Sequence, residues 1–333
     1  FSTTAGTVVS ETVTLTETGA DTGIFEGNIE LAEASVVAGN SKLEIASGDR
    51  VTVFYDDLKG DWGNALQVRD ESLYAATVIK GSTVVKDLVW TKDKSPYLVT
   101  GDVTISSGRS LTIKEGVKVI FLANSDSTEG GEQKYDSELL AEGVINVLGT
   151  ASEPVTFTSS ETAPSKGDWG GIRHKGTGVF EHAVLEYSGY GIYSSSANIT
   201  FKNRKITESG GYGIRGQSMG GNNVVVEASE FTGVKSRSLY FQGSWNNQNT
   251  ITIKDSKFSN GGNDGGIYLS EMGDALLENN EFVNNAGFYV NIDYRWGDVT
   301  LKNNKFNGNK SGSFGVNNQY ANDQAQGGTV LFE

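Results

Sequence analysis

The chain has 333 residues, with 27 Lys and Arg against 41 Asp and Glu for a net charge of -14, and no Cys. The acidic balance argues against nucleic acid and anionic membrane surfaces as partners, and the missing Cys excludes a disulfide framework, a thiolate nucleophile and cysteine metal sites. No apolar run reaches the ~18 residues of a membrane span, and 43 Gly beside 3 Pro, in a Thr/Ser/Asn-rich chain, point to an extracellular or cell-surface protein of short strands and tight turns.

Residues 1–80 alternate apolar and polar positions in the manner of half-buried strands at 8–15, 24–31, 43–45, 51–55 and 73–79, with Gly-containing turns between them. This pattern predicts a small antiparallel β-sandwich of about five strands, short of the roughly seven of an immunoglobulin-like sandwich. The segments TETGADTGIFEG (16–27) and SGDRVTVFYDD (47–57) resemble a sandwich module that recurs in large secreted bacterial and archaeal surface proteins. Within this region YDDLKGDWGN gathers Asp56, Asp57, Asp61 and Asn64 around a Gly turn. Such hard oxygen donors at short spacing suit calcium, and they suit an acidic solvated hairpin loop equally. Residues 81–98 show no clear period and are expected to be a linker and entry segment of the next domain.

From residue 99 to 333 the period changes. Apolar residues five positions apart recur as Phe180/Leu185, Phe201/Ile206, Val226/Phe231, Ile253/Phe258, Leu277/Phe282 and Leu301/Phe306, with first members 21, 25, 27, 24 and 24 residues apart. A repeat of that length built from short strands predicts a parallel β-helix whose coils stack at ~4.8 Å, so that equivalent positions form columns. One position on stand Glu181, Lys202, Glu227, Lys254, Glu278 and Lys302; four positions on stand Val184, Lys205, Glu230, Lys257, Glu281 and Lys305. The alternating signs predict in-register ion-pair ladders that are structural. Two positions on stand His182, Asn203, Ala228, Asp255, Asn279 and Asn303, a column suited to a turn in the left-handed region. Met219, Trp245, Met272 and Trp296 form a further column, either a hydrophobic corner or an exposed glycan platform.

Residues 95–121, LGTASEPVTFTS (148–159) and GDWGGIRH (167–174) resemble the opening coils of secreted right-handed parallel β-helix proteins. The resemblance implies the fold class: all-β, a right-handed solenoid preceded by the small sandwich. It leaves activity open, because that group includes polysaccharide lyases, glycosidases, adhesins and surface-layer components. The Asp cluster with Gly-His-Gly and Arg-x-Lys segments used by pectin hydrolases of this fold is missing, and the two histidines, His174 and His182, stand in other contexts. A calcium-dependent lyase would draw its cationic groups from Arg215, Lys235 and Arg295, with Asp293 and Asp298 nearby in sequence; ordinary exposed loop positions are the competing reading. The acidic insertion NSDSTEGGEQKYDSE (124–138) is a second cation candidate, although long polar insertions on solenoids are usually solvated loops.

For glycan binding, the repeat places Tyr193, Tyr240 and Tyr268 just past a buried apolar residue, with Arg215 on the coil between the first two. Such a row could stack on sugar rings. The expected function is a non-catalytic structural or adhesive module of a cell-surface layer or filament. Its expected partners are extracellular polysaccharide, copies of itself or neighbouring surface proteins, with calcium as the one expected ion; the alternative is a polysaccharide lyase. The apolar last strand (GGTVLFE, 327–333) and the short sandwich lead to the expectation of a longer parent chain or a head-to-tail contact between copies.

Overall fold

In a computed structural model, residues 10–20, 22–33, 35, 37–57, 66–75, 77–195, 199–219, 223–243, 249–263, 266–287, 290–293, 297–310, 314–317 and 330–332 are described. The chain divides into two compact units, Phe1–Thr77 and Val78–Glu333.

The described strands of the first unit form three two-stranded sheets. Thr16–Glu17 pairs antiparallel with Phe25–Glu26, and Arg50–Asp57 with Leu66–Leu73, while Glu30–Ala32 runs parallel to Lys42–Glu44. Two of the three pairs thus have the expected direction. Among this unit's described residues the fully buried apolar side chains are Leu43 and Ile45, whereas Phe25, Phe54, Tyr55 and Val68 are exposed.

The second unit is a right-handed parallel β-helix. Three parallel sheets of ten strands each run along it, and successive strands of the chain enter sheets 1, 2 and 3 in turn, starting from Thr77–Ile79, Ser82–Val84 and Leu88–Trp90. Residues 81–98, expected as linker and entry segment, form a full coil of it: Ser82–Val84 and Leu88–Trp90 pair in parallel with Val103–Ile105 and Ser110–Lys114, and Tyr97–Val99 with Lys118–Phe121. Three-residue strands interrupted by the 3-10 turn Lys92–Lys94 are too short to show a period, which is why the first coil does not stand out in the sequence.

The repeat pairs fall in register. Phe180, Phe201, Val226, Ile253, Leu277 and Leu301 face one another on consecutive strands of sheet 3 and are buried. On sheet 1, Phe231, Phe258, Phe282 and Phe306 stack at centroid distances of 5.1, 5.1 and 4.6 Å with rings within 12° of parallel. The turn between the two sheets is made by one residue per coil in the left-handed region. His182, Asn203, Ala228, Asp255, Asn279 and Asn303 all have φ between 46° and 55°. Ala228, with no side-chain hydrogen bond to offer, adopts it because the stacked coils impose it.

Inside this turn runs a ladder less visible in the sequence. The backbone N–H of Arg204 donates to Ser229 Oγ, that of Ser229 to Ser256 Oγ, that of Ser256 to Asn280 Oδ1 and that of Asn280 to Asn304 Oδ1. Buried Asn280 returns its amide to the Ile253 carbonyl at 2.8 Å, and Asn285 with Asn309 repeats the arrangement at the next corner. The Ser and Asn side chains of these ladders therefore find partners one coil away.

Both charge columns are also in register, with Glu227, Glu278, Glu230 and Glu281 each between two Lys and Glu181 between Leu148 and Lys202. Glu227 meets Lys202 at 2.9 Å and Lys254 at 3.2 Å, and Glu278 meets Lys302 at 3.4 Å. Hydrogen bonds from Lys202 and Lys254 hold the Glu227 carboxyl below its usual range. Glu278→Lys would place three Lys in a row on sheet 3. It is expected to lower stability by about 1 kcal/mol in low salt, and the loss should shrink as salt is raised; thermal melts at two ionic strengths check this.

Candidate functional site

Sheet 2 carries the chemistry. Its strands Gly171–His174, Ile192–Ser194, Ile214–Met219, Leu239–Gly243, Ile267–Ser270 and Val290–Asp293 alternate inward apolar residues with outward polar or aromatic ones. Ile172, Ile192, Ile214, Leu239, Ile267 and Val290 are buried. The residues directly after them form one outward column, paired in order Arg173, Tyr193, Arg215, Tyr240, Tyr268 and Asn291. Tyr193, Arg215, Tyr240 and Tyr268, singled out in the sequence, thus lie on four consecutive coils.

Their geometry corrects one expectation. Sugar stacking needs free ring faces, but here the faces meet each other along the solenoid axis. Tyr240 and Tyr268 stack at 5.1 Å, and the Arg215 guanidinium lies 5.6 Å from the Tyr193 ring, 5.5 Å from Tyr240 and 5.1 Å from Tyr212. Arg237 lies 4.1 Å from the Tyr268 ring. The stack follows from in-register pairing, since flat groups at the coil spacing touch face to face. What the column turns outward is ring edges and polar heads. The Tyr193 hydroxyl donates to Gln217 Oε1 at 3.3 Å, Arg215 Nη2 donates to the same oxygen at 3.1 Å, and the Tyr240 hydroxyl donates to Gln242 Oε1 at 3.2 Å. At the far end, burial raises the Tyr268 hydroxyl pKa, and the nearby Asp293 carboxylate adds to the shift.

The near end is anchored by an ion-pair network that sequence reading missed. Arg173, 7% exposed, donates from Nε to Glu138 Oε1, pairs through Nη1 with Glu132 at 2.9 Å, and lies 5.4 Å from the Tyr193 ring. Glu138, 0% exposed, also accepts the backbone N–H groups of Glu132 and Gln133 at 2.7 and 3.0 Å. The acidic insertion 124–138 is therefore tied to the first coils through its own carboxylates. Asp126 accepts from Thr128 and Gly130 in the same way.

Asp102 closes the network. Its Oδ1 accepts the Glu138 N–H at 2.7 Å, while Oδ2 is buried with no partner. Burial raises its pKa from 3.8 to about 6, with Asp126 and Glu138 adding repulsion. The folded state therefore holds this proton more tightly than the unfolded chain. Asp102 supports stability fully below its unfolded pKa, and that support is lost as pH rises through about 6. Asp102→Asn is expected to flatten this part of the profile and to gain stability relative to the parent at neutral pH, as urea midpoints across the window will report.

The remaining sequence candidates are dispersed. Lys235 is exposed in the turn between the Glu230–Thr232 and Leu239–Gly243 strands, and its N–H donates to the Ser209 carbonyl. Arg215 is held in the tyrosine stack, and Arg295 lies outside the described residues. Asp293 is half-buried and Asp298 exposed. Asp56 is exposed and accepts from Gln67 Nε2 at 2.7 Å; the Asp57 side chain, Asp61 and Asn64 lie outside the described residues. Among the described residues no group of three or more His, Asp or Glu is arranged to hold a metal. Met272 is buried in the core, which favours the corner reading of its column, while the Met219 side chain, Trp245 and Trp296 lie outside the described residues.

Comparison with known proteins agrees with this architecture. Residues 82–212 match the pectate-lyase like beta helix domain, and residues 244–325 match the right handed beta helix region. A 48-residue stretch, 14% of this chain, is 44% identical to the Drosophila melanogaster protein bark beetle and spans 2% of that protein's length. No solved structure matches. With its three in-register parallel sheets and these two matches, the chain is a right-handed parallel β-helix repeat protein.

Proposed function

We propose that the protein is a non-catalytic, extracellular polysaccharide-binding module serving adhesion or surface assembly. The observation that carries this reading is the in-register column Arg173, Tyr193, Arg215, Tyr240 and Tyr268, flanked by Gln217 and Gln242. It repeats hydroxyl, amide and guanidinium heads once per coil at ~4.8 Å. That interval is close to the length of one sugar residue in an extended polysaccharide, so one chain laid along the solenoid would meet equivalent donors at successive sugars. Because the ring faces are occupied by neighbouring rings and guanidinium groups, recognition runs through hydrogen bonds and ring edges. Arg215, fixed among three tyrosines, serves as a stationary cation in this scheme. A lyase base must instead accept a proton, which a guanidinium does poorly. The first unit would act as an immunoglobulin-like spacer, calcium at the 56–64 loop would stiffen it, and contacts with copies of itself or other surface proteins would build the layer.

Affinity electrophoresis against neutral and acidic polysaccharides, with and without calcium, tests the proposal. Tyr240→Ala opens the centre of the column and is expected to weaken binding about tenfold while the melting temperature stays well above the assay temperature. The pectate-lyase-like match supports a second reading, an enzyme; unsaturated sugar products in the same incubations would replace the binding reading with it.

A further inference from the structure

Arg204 breaks the rule of its own column. The equivalent positions on later coils hold Ser229, Ser256, Asn280 and Asn304, short side chains that accept the N–H from the preceding coil. A guanidinium has no acceptor to offer there. Arg204 instead extends into the core, 2% exposed, with its Cζ 4.6 Å from the Phe201 ring and 5.4 Å from the Phe180 ring. Nη2 donates to the Thr200 carbonyl at 3.3 Å, while Nε and Nη1 are buried with no partner. His174, also 2% exposed, stands against the same Phe180 ring with centroids 5.7 Å apart, and its Nε2 is equally unpartnered.

A fully buried cation without a carboxylate in direct contact is among the costliest features a core can hold. The two phenylalanine faces offset part of that cost. Burial pushes the Arg204 pKa well below its usual value and Glu181 opposes the shift, while burial and the charge of Arg204 both push the His174 pKa down. A guanidinium stays protonated in proteins, so the missing charge has to come from elsewhere. On the turn side of this corner lies an open surface groove of about 500 Å³, lined in part by Arg204, Thr150, Pro154, His182, Asn203 and Lys205.

We propose that Arg204 forms a buried binding site for a small monovalent anion of the chloride class, held by Nε and Nη1 inside the coil stack. The site neutralises the one arginine that interrupts the Ser/Asn ladder, and it links stability of the middle coils to halide concentration.

The test uses the full chain at constant ionic strength, with chloride replacing gluconate, which is too large for the interior. Raising chloride from about 1 to about 300 mM is expected to lift the melting temperature by about 2–4 °C. The NMR titration of His174 should move to higher pKa in chloride as the neighbouring positive charge is neutralised. Bromide-soaked crystals should show an anomalous peak beside Arg204. Arg204→Asn restores the ladder residue, and its melting temperature should be independent of chloride. A parent protein indifferent to chloride, with no bromide peak, would mean that water alone fills the space and would overturn the site. A chloride response that persists in Arg204→Asn would overturn the assignment to Arg204, and Arg204→Gln repeats this arm should the Asn variant fold poorly.

Discussion

Phe258→Ala is expected to cost about 3–5 kcal/mol of unfolding free energy, far more than the loss of a ring at the end of the sheet 1 stack. The ring is fully buried and lies between Phe231 and Phe282 at 5.1 Å on either side, with rings within 12° of parallel. Its removal deletes two aromatic contacts at once, and the cavity cannot collapse because the coils above and below are held by their own ladders. Phe306→Ala, at the half-buried end of the same stack, should cost much less. Denaturant unfolding of the two variants checks the difference; equal losses would mean that the stack is not continuous.

Glu138→Gln is expected to cost about 3 kcal/mol or more, because it leaves Arg173 buried with the exposed Glu132 as its remaining carboxylate. The substitution preserves shape and an acceptor oxygen, so the loss reports the missing charge. The backbone donors of Glu132 and Gln133 would lose a carboxylate acceptor together with it, and the 124–138 insertion should become the first site of proteolytic cleavage. Faster cleavage there without a stability loss would show that the pair holds the insertion but not the coil. Since Arg173 also opens the sheet 2 column, weaker polysaccharide binding should accompany the loss.

The repeat itself was legible because a solenoid writes one structural rule many times. The five-residue spacing of apolar pairs located the corner between sheets 3 and 1, and the column at Asn203 and Asn279 identified the left-handed turn, including His182 and Ala228, whose residue types alone would not suggest it. The buried amide ladders had a signal in the Asn-Asn doublets at 279–280, 284–285 and 303–304. In each doublet the first residue is exposed and the second turns inward. The sequence pattern suggested only the first role. The first coil escaped because its strands are three residues long and Val85 and Val89 are exposed.

The candidate site divides the same way. Alternation along each strand sufficed to place Tyr193, Arg215, Tyr240 and Tyr268 on one outward row, since strand period and coil length are properties of the sequence. Which surface of each ring remains available depends on rotamers and on the distance to the next coil, and only the stacked structure decided that the faces are occupied.

Linear order also determined where acidic residues gather, at 56–64 and 124–138. It did not determine that Glu138 is buried against Arg173 from 35 residues away, or that Arg204 enters a core lined by Phe180 and Phe201. A charge in the sequence has no fixed energy. Its effect is set by the burial and the partners that folding brings to it, and here those come from neighbouring coils distant along the chain.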